Sequence, residues 1–307
     1  MQIKKIAIIG LGALGVMYAE HLSARLPEGS VRIIADQERI TRYQQQGIYS
    51  NGKKCTFTYV TPDQQMEPAD LVLITVKYNA LSEALQSISH QVGADTIILS
   101  ALNGISSEEE IAKVYGEDKV LYCVAQGMDA VKKGNALTFA NKGVLCFGEA
   151  KMTEPSEKVQ AVAQFFDQVE FPYEIDFNMR KRQWGKFMLN VGVNQTVAVY
   201  QTNYAGVQAD GQARETMIAA MREVIALSQF TDTPLDQADL VYWLDILATL
   251  HPEGMPSMRQ DFEAKRYSEV ELFSGTVIKL GKRYGVATPV NQKLYQQIAE
   301  IEKQYTR

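Results

Sequence analysis

The chain is poor in cysteine, and that scarcity excludes several classes at once. Cys55, Cys123 and Cys146 are odd in number, scattered, and form no Cys-x-x-Cys pair. Neither a disulfide framework nor a zinc site is expected, and no other metal site is indicated. A reducing cytoplasm is the simplest compartment for such a chain. Positive charge is scarce too: 31 Lys and Arg against 36 Asp and Glu leave a net charge of −5. No long basic run compensates it, so no nucleic-acid partner is expected, and Arg180, Lys181 and Arg182 read as a solvated face. No apolar stretch approaches the roughly 20 residues that span a bilayer, which leaves no membrane partner. The first residues already read as a core strand, so no signal peptide is expected. There is neither an internal repeat nor a low-complexity segment. At 307 residues, with 46% hydrophobic and 22% charged content, the chain has the make-up of an ordinary globular protein of two domains.

What is present begins at once. The apolar run Ile6-Ala7-Ile8-Ile9 leads into Gly10-Leu11-Gly12-Ala13-Leu14-Gly15, and a helical pattern follows from Val16 to Leu22. This is the strand, tight turn and helix start that a dinucleotide's pyrophosphate requires. Gly10 permits the turn, Gly12 lets backbone approach phosphate, and Gly15 lets the helix pack on the strand. The helix N-terminus then offers unpaired N–H groups and a positive dipole end. A second strand-like run, Val31 to Ala35, ends at Asp36, about 20 residues beyond Gly15, where an acidic side chain grips a ribose hydroxyl. A solvated Asp opening a loop is the plain alternative.

Further apolar, β-branched runs without alternation lie at 71–76 and 96–99, as expected of parallel strands buried on both faces. Helical patterns at 80–88 and 107–114 separate them, which makes a doubly wound sheet. The runs 120–125, 137–139 and 143–147 read as antiparallel or mixed strands that extend this sheet. From about Arg182 the pattern turns helical, with segments at 183–200, 212–229, 236–250, 257–284 and 291–304. The expectation is an α/β chain: a dinucleotide-binding domain over 1–170, an all-helical domain over 171–307, and a substrate cleft between them.

One helix of the second half stands out. In Trp184-Gly185-Lys186-Phe187-Met188-Leu189-Asn190-Val191-Gly192-Val193-Asn194, the polar residues Lys186, Asn190 and Asn194 recur every four positions. That spacing puts them on one stripe of an otherwise apolar helix. A solvated face is the plain alternative, but Asn is a poor helix-interior residue and the flanks are too apolar for a wet surface. Further on, Ser257 with Gln260 reads as a capping box that starts a helix. Glu269 reads as one of several acids on a long charged helix. Asn103-Gly104 reads as a turn, yet it lies past the C-terminal end of a parallel strand, where open α/β sheets place ligands.

Together these residues resemble the ketopantoate reductase (2-dehydropantoate 2-reductase) family, within the larger group of two-domain hydroxyacid dehydrogenases. The matching pieces are Gly10 to Gly15, Ala69-Asp70-Leu71 leading to Val76-Lys77, Leu102-Asn103-Gly104 and Phe147-Gly148-Glu149. They continue with Trp184-Gly185-Lys186, Asn190 and Asn194, Ser257-Met258-x-Gln260-Asp261, Glu269, and Gly285 to Asn291. The Lys-x-x-x-Asn-x-x-x-Asn stripe with the Ser-Met-x-Gln-Asp segment is specific; the glycine motif is not. The resemblance implies a Rossmann-type first domain and NAD(P)H-dependent reduction of ketopantoate to pantoate, toward pantothenate and coenzyme A. It implies that Lys186 is the general acid and that Glu269 hydrogen-bonds the reacting oxygen. Asn190, Asn194 and Ser257 would hold the substrate's carboxylate and hydroxyl. Asn103 would lie near substrate and nicotinamide, and Lys77 near the coenzyme ribose and phosphate.

Two departures from the family pattern stand out. Where the family carries a basic residue after the second strand, this chain has Asp36, with Arg39 shortly beyond. The family implies NADPH and Asp36 fits NADH; the balance falls slightly to NADPH because Arg39 and Lys77 could reach a 2′-phosphate. After Glu269, the family's Glu-Ile-Asp and Asn-Gly are replaced by Glu269-Val270-Glu271 and Ser274-Gly275. A reductase of a different branched 2-keto acid is therefore the second reading, and a non-catalytic NADP(H) sensor the third. A sensor would not need Lys186, Asn190, Asn194 and Glu269 together. The segment 257–284 is long enough to pair in a homodimer or to form a domain core.

Overall fold

The computed structural model describes residues 1–305. They divide into two compact units: 1–102 with 106–179, and 103–105 with 180–305.

The first unit holds β1 (Ile6–Ile9), α1 (Ala13–Ser23), β2 (Val31–Ile34), α2 (Gln37–Gln46), β3 (Ile48–Ser50), β4 (Lys53–Cys55) and β5 (Thr58–Val60). It continues with β6 (Ala69–Ile74), α3 (Leu81–Ser87), β7 (Val92–Ser100), α4 (Ser107–Tyr115) and β8 (Val120–Gln126). It ends with β9 (Val131–Lys133), β10 (Ala136–Thr138), β11 (Val144–Gly148), α5 (Glu157–Gln168) and β12 (Tyr173–Ile175). Eight strands form one sheet in the order β12-β11-β8-β7-β6-β1-β2-β5. From β5 to β8 all neighbours are parallel, while β11 runs antiparallel to β8. Apolar residues without alternation suit this sheet, because both faces are covered. Ile6 and Ile8 of β1 enter one core with Leu71 and Leu73, and Ala7 and Ile9 enter the other with Val72 and Ile74.

The chain passes from β1 outward to β2 and returns to β6 on the other side of β1. The strand order therefore reverses between β1 and β6, the place where open α/β sheets bind ligands. Two expectations change here. The 137–139 run does not extend the main sheet. It is β10 of a separate four-stranded sheet, β4-β3-β10-β9, whose Ile48 and Leu137 bury against Met17 and Leu22 of α1. The first unit also runs past residue 170, because β12 pairs parallel with β11.

The second unit is helical: α6 (Met179–Val199, of which Met179 falls in the first unit), α7 (Ala205–Gln208), α8 (Gln212–Ser228), α9 (Gln237–Ala248), α10 (Ser257–Glu263), α11 (Thr276–Tyr284) and α12 (Pro289–Glu302). Helix α6 keeps Phe187, Met188, Val191, Val193, Val197 and Ala198 buried. Its two glycines explain how neighbours come so close. A Cβ at Gly185 would overlap the indole of Trp243 on α9, and one at Gly192 would crowd Met217 and Met221 on α8. A helix-interior Gly costs about 1 kcal/mol relative to Ala, which this close packing offsets.

The single helix expected over 257–284 is three pieces. Helix α10 stops at a left-handed Lys265 (φ 51°), with Arg266 N–H donating to Asp261 C=O (2.8 Å) and Lys265 N–H to Phe262 C=O (3.0 Å). These are the paired bonds of a Schellman stop, which the local sequence disguises because Lys occupies the usual Gly position. A π turn over Glu271–Gly275 precedes α11.

Candidate functional site

One candidate region, in the first unit, is made of backbone. Gly10 sits at φ 97°, and a Cβ there would lie 2.8 Å from the Thr75 carbonyl carbon at the end of β6. Thr75 Oγ1 donates to Gly10 C=O (2.7 Å), fixing the turn at the switch point. A Cβ on Gly15 would overlap the Gly10 carbonyl, so α1 can rest on β1 only with glycine there. Gly12 differs. Its nearest neighbour would be Thr75 O at 3.7 Å, an ordinary contact, so nothing in the protein requires its missing side chain. Gly12 also caps α1 with no side-chain bond to the helix's first amides. Open space beside uncapped amides is the donor set a pyrophosphate needs, and the residues present fit a dinucleotide.

Beside this turn lies a cavity of about 130 Å³, lined by Gly10, Leu11, Ile34, Asp36, Arg39, Tyr43, Val76 and Glu83 among others. One water needs roughly 10–15 Å³ by the same kind of measure, so the cavity admits a ring-sized group. Asp36 is neither free nor in a loop, because it caps α2. Its Oδ1 accepts from Arg39 N–H (2.7 Å) and its Oδ2 pairs with the Arg39 guanidinium (3.2 Å). Glu83 of α3 approaches the same guanidinium at 3.5 Å. Lys77 caps the short turn that follows β6 and is exposed. Leu11, Ala13 and Leu14 complete the turn, where Ala13 opens α1.

A second candidate region, all within the helical unit, is made of side-chain amides. Asn194, 5% exposed, accepts at Oδ1 from Ser257 Oγ (3.2 Å) and Met258 N–H (3.3 Å). Its Nδ2 donates to Asn190 Oδ1 (3.3 Å), and Asn190 Nδ2 donates to Asn103 Oδ1 (3.4 Å). Asn103, far off in sequence, therefore belongs to this unit and stands at the end of the ladder. The amide orientations follow from the pattern of bonds. All four distances lie at or beyond the usual upper limit near 3.2 Å. Lys186 lies one turn before Asn190 on the same face, part-buried; the polar stripe is thus no fully solvated surface.

The expected capping box at Ser257 does not form. Pro256 is the N-cap and has no side-chain cap, while Gln260 Nε2 donates to Met255 C=O (2.9 Å). Asn194 supplies the acceptor instead, so α10 is capped from another helix. Glu269 is not within a long charged helix but precedes the π turn, part-buried, its carbonyl accepting from Leu272 (3.0 Å) and Phe273 (3.2 Å) N–H. Sequence reasoning missed Glu83, which nothing in α3 marks, and Gln195, which the run Val193-Asn194-Gln195-Thr196 could have marked as polar in an apolar helix. Gln195 and Thr196 are fully buried.

A glycine turn at a sheet's switch point, followed by a helical unit carrying a lysine and an amide ladder, defines a dinucleotide-dependent oxidoreductase of two-domain build. The comparisons narrow that class. Residues 6–151 match the family model Ketopantoate reductase PanE/ApbA, and residues 178–302 match Ketopantoate reductase PanE/ApbA C terminal. The chain belongs to the ketopantoate reductase family. The 2-dehydropantoate 2-reductase of Aquifex aeolicus is 26% identical over 298 residues, covering 94% of either chain. Among solved structures, D-mandelate dehydrogenase in complex with NADH shares the fold at TM-score 0.85 and 21% identity, covering 98% of this chain and all of that one. So does a dimeric ketopantoate reductase from Staphylococcus aureus, at TM-score 0.76 and 19% identity, over 98% of this chain and all of that one.

Proposed function

We propose that this protein reduces 2-dehydropantoate (ketopantoate) to pantoate with NAD(P)H, serving pantothenate and coenzyme A synthesis in the cytoplasm. The observation that carries the reading is the ladder from Ser257 through Asn194 and Asn190 to Asn103, on the helix face that bears Lys186. A bound nicotinamide supplies the hydride. The chain's own groups do the rest. Lys186 holds the proton that the keto oxygen takes up, and its ammonium stabilises the alkoxide charge that develops there. Glu269 hydrogen-bonds the same oxygen, and Asn190, Asn194 and Ser257 hold the substrate's carboxylate and hydroxyl. Gly10 to Gly15 and the first amides of α1 hold the pyrophosphate, with Asp36 and Lys77 toward the ribose and Asn103 toward the nicotinamide.

Two features weigh on the ribose 2′ position. The lean to NADPH rests on Arg39 and Lys77 reaching a phosphate. Arg39, however, is engaged by Asp36 and Glu83, which together outnumber it among the cavity's charged residues. That surplus of carboxylate supports NADH, because a free diol can donate to Asp36 whereas a phosphate is repelled. We expect NADH to serve at least as well as NADPH. The departures after Glu269 also find partners within the protein: Tyr295 donates to Glu271, and Ser274 to Gln195. These departures therefore have structural partners and do not by themselves argue for a different keto acid. The test is ketopantoate reduction by the purified protein with NADPH and NADH side by side. Absence of turnover with both, while coenzyme still binds, would move the substrate to a different 2-keto acid. Gel filtration with light scattering tests the homodimer that we propose by analogy with the S. aureus structure.

A further inference from the structure

Beneath the amide ladder lies a second polar chain that the reaction scheme does not use. Gln195, Ser274 and Asn291 are each 0% exposed. Asn291 Nδ2 donates to Glu223 Oε2 (2.7 Å), and the Glu223 carboxylate also accepts from Val290 (2.8 Å) and Asn291 (3.0 Å) N–H at the start of α12. With its amino group turned to Glu223, Asn291 presents its oxygen inward. Gln195 Nε2 donates to that oxygen (3.2 Å) and to Val191 C=O (2.7 Å). Ser274 Oγ donates to Gln195 Oε1 and lies 3.1 Å from Asn291 Oδ1. Only this orientation of both amides satisfies every buried donor and acceptor, so the Glu223 charge sets the direction of the whole chain.

Ser274 lies in the π turn, and that turn is where the rest converges. Gly275 N–H donates to Val270 C=O (3.0 Å), and Glu269 C=O accepts from Leu272 and Phe273. Leu272 of the same turn fills the space above Gly104, where a Cβ would meet its Cδ1 at 2.7 Å. The turn thus holds the backbone of Glu269 on one side and abuts the Asn103 loop on the other. Its polar anchor to α6 is the pair Ser274–Gln195, and Gln195 is the neighbour of Asn194.

We propose that Gln195 and Ser274, oriented by Asn291 and Glu223, are positioning residues for Glu269, fixing the π turn against the helix that carries Lys186. This rests on the reading of Glu269 as partner of the substrate oxygen.

The test is a double-mutant cycle with purified protein, ketopantoate and the better coenzyme. Ser274→Ala and Gln195→Met should each lower kcat about ten- to a hundredfold, the scale of a small misplacement of a reacting group. Coenzyme dissociation constants, read by fluorescence titration, should stay unchanged. Ser274→Cys, similar in shape with a weak donor, should fall between Ser274→Ala and the parent. In a Glu269→Gln background the same replacements should lower kcat by less than about twofold, because they act through Glu269. An equal loss in both backgrounds, or parental kcat in Ser274→Ala, overturns the proposal. If Glu269→Gln itself leaves kcat intact, the role of Glu269 fails, and amide exchange decides the anchor. Faster exchange at Leu272 and Gly275 in Ser274→Ala upholds the anchoring of the turn, and unchanged exchange overturns it.

Discussion

The two candidate regions, one in each unit, are built from different materials. In the first unit the region proposed for the pyrophosphate is backbone: a turn at φ 97°, uncapped amides at the start of α1, and space where Gly12 has no side chain. In the helical unit the proposed groups are side chains, Lys186 and a ladder of amides whose members come from α6, α10 and the Asn103 loop. A backbone site depends on local sterics, so it is contiguous in sequence and nearly indifferent to the side chains around it. A side-chain site depends on which helices pack together, so it is scattered and each member depends on its neighbours. Under the proposed function, changes in the first region should therefore act on coenzyme affinity, and changes in the second on turnover and substrate affinity.

The largest test of that division is Lys186→Ala. We expect turnover to fall by about 10² to 10⁴, the usual worth of a positioned general acid, with coenzyme affinity intact by fluorescence titration. Unchanged turnover would remove Lys186 from the mechanism. Asn194→Ala comes next. It strips the acceptor from the buried Met258 N–H and from Ser257 Oγ, so we expect a stability loss of about 1–3 kcal/mol in urea melts and a raised KM. A raised KM without any loss of stability would mean that α10 does not depend on this cap.

Asp36→Arg addresses the first unit alone. It should move the ratio of kcat/KM for NADPH over NADH upward by about tenfold or more, equivalent to about 1.4 kcal/mol. A constant ratio would show that Asp36 does not face the ribose. A separate test is the effect of pH on the first unit's stability. His21 is buried, its Nε2 at 2.8 Å from Val169 C=O and its Nδ1 at 2.8 Å from Lys142 Nζ. Burial pushes its pKa down from 6.5 to about 4. Between those values the unfolded chain takes up a proton that the folded chain refuses. This contribution to stability is thus present above about pH 6.5, falls as the pH drops toward 4, and levels off below. His21→Gln should flatten that part of the melting-temperature profile relative to the parent, and an identical slope would remove His21 as its source.

Much of this could be read without coordinates. The glycine turn and the parallel strands are local: period, sterics and torsional freedom write them into consecutive residues. The Lys186, Asn190 and Asn194 stripe is also local, since a helix fixes which side chains share a face. The break in 257–284 was not legible, because Lys265 takes a left-handed turn that a Gly would have announced and Asp261 holds Arg266 across it (2.9 Å). Nor was the cap of α10, which the sequence ascribes to Ser257 and the fold assigns to Asn194.

By itself the sequence determined a glycine turn at the end of β1, an α/β unit followed by helices, and one helix with a cationic and amide-bearing face. Each of these follows from interactions within a few residues of chain. Only the tertiary structure decided that Asn103 joins the helical unit, that Arg39 lies between two carboxylates, and that Ser274 meets Gln195. Those pairings span 87, 44 and 79 positions for Asn103–Asn190, Arg39–Glu83 and Gln195–Ser274. They depend on how α2 meets α3, and how α6 meets the Asn103 loop and the π turn, which is a matter of core packing and carries no local signature in the chain.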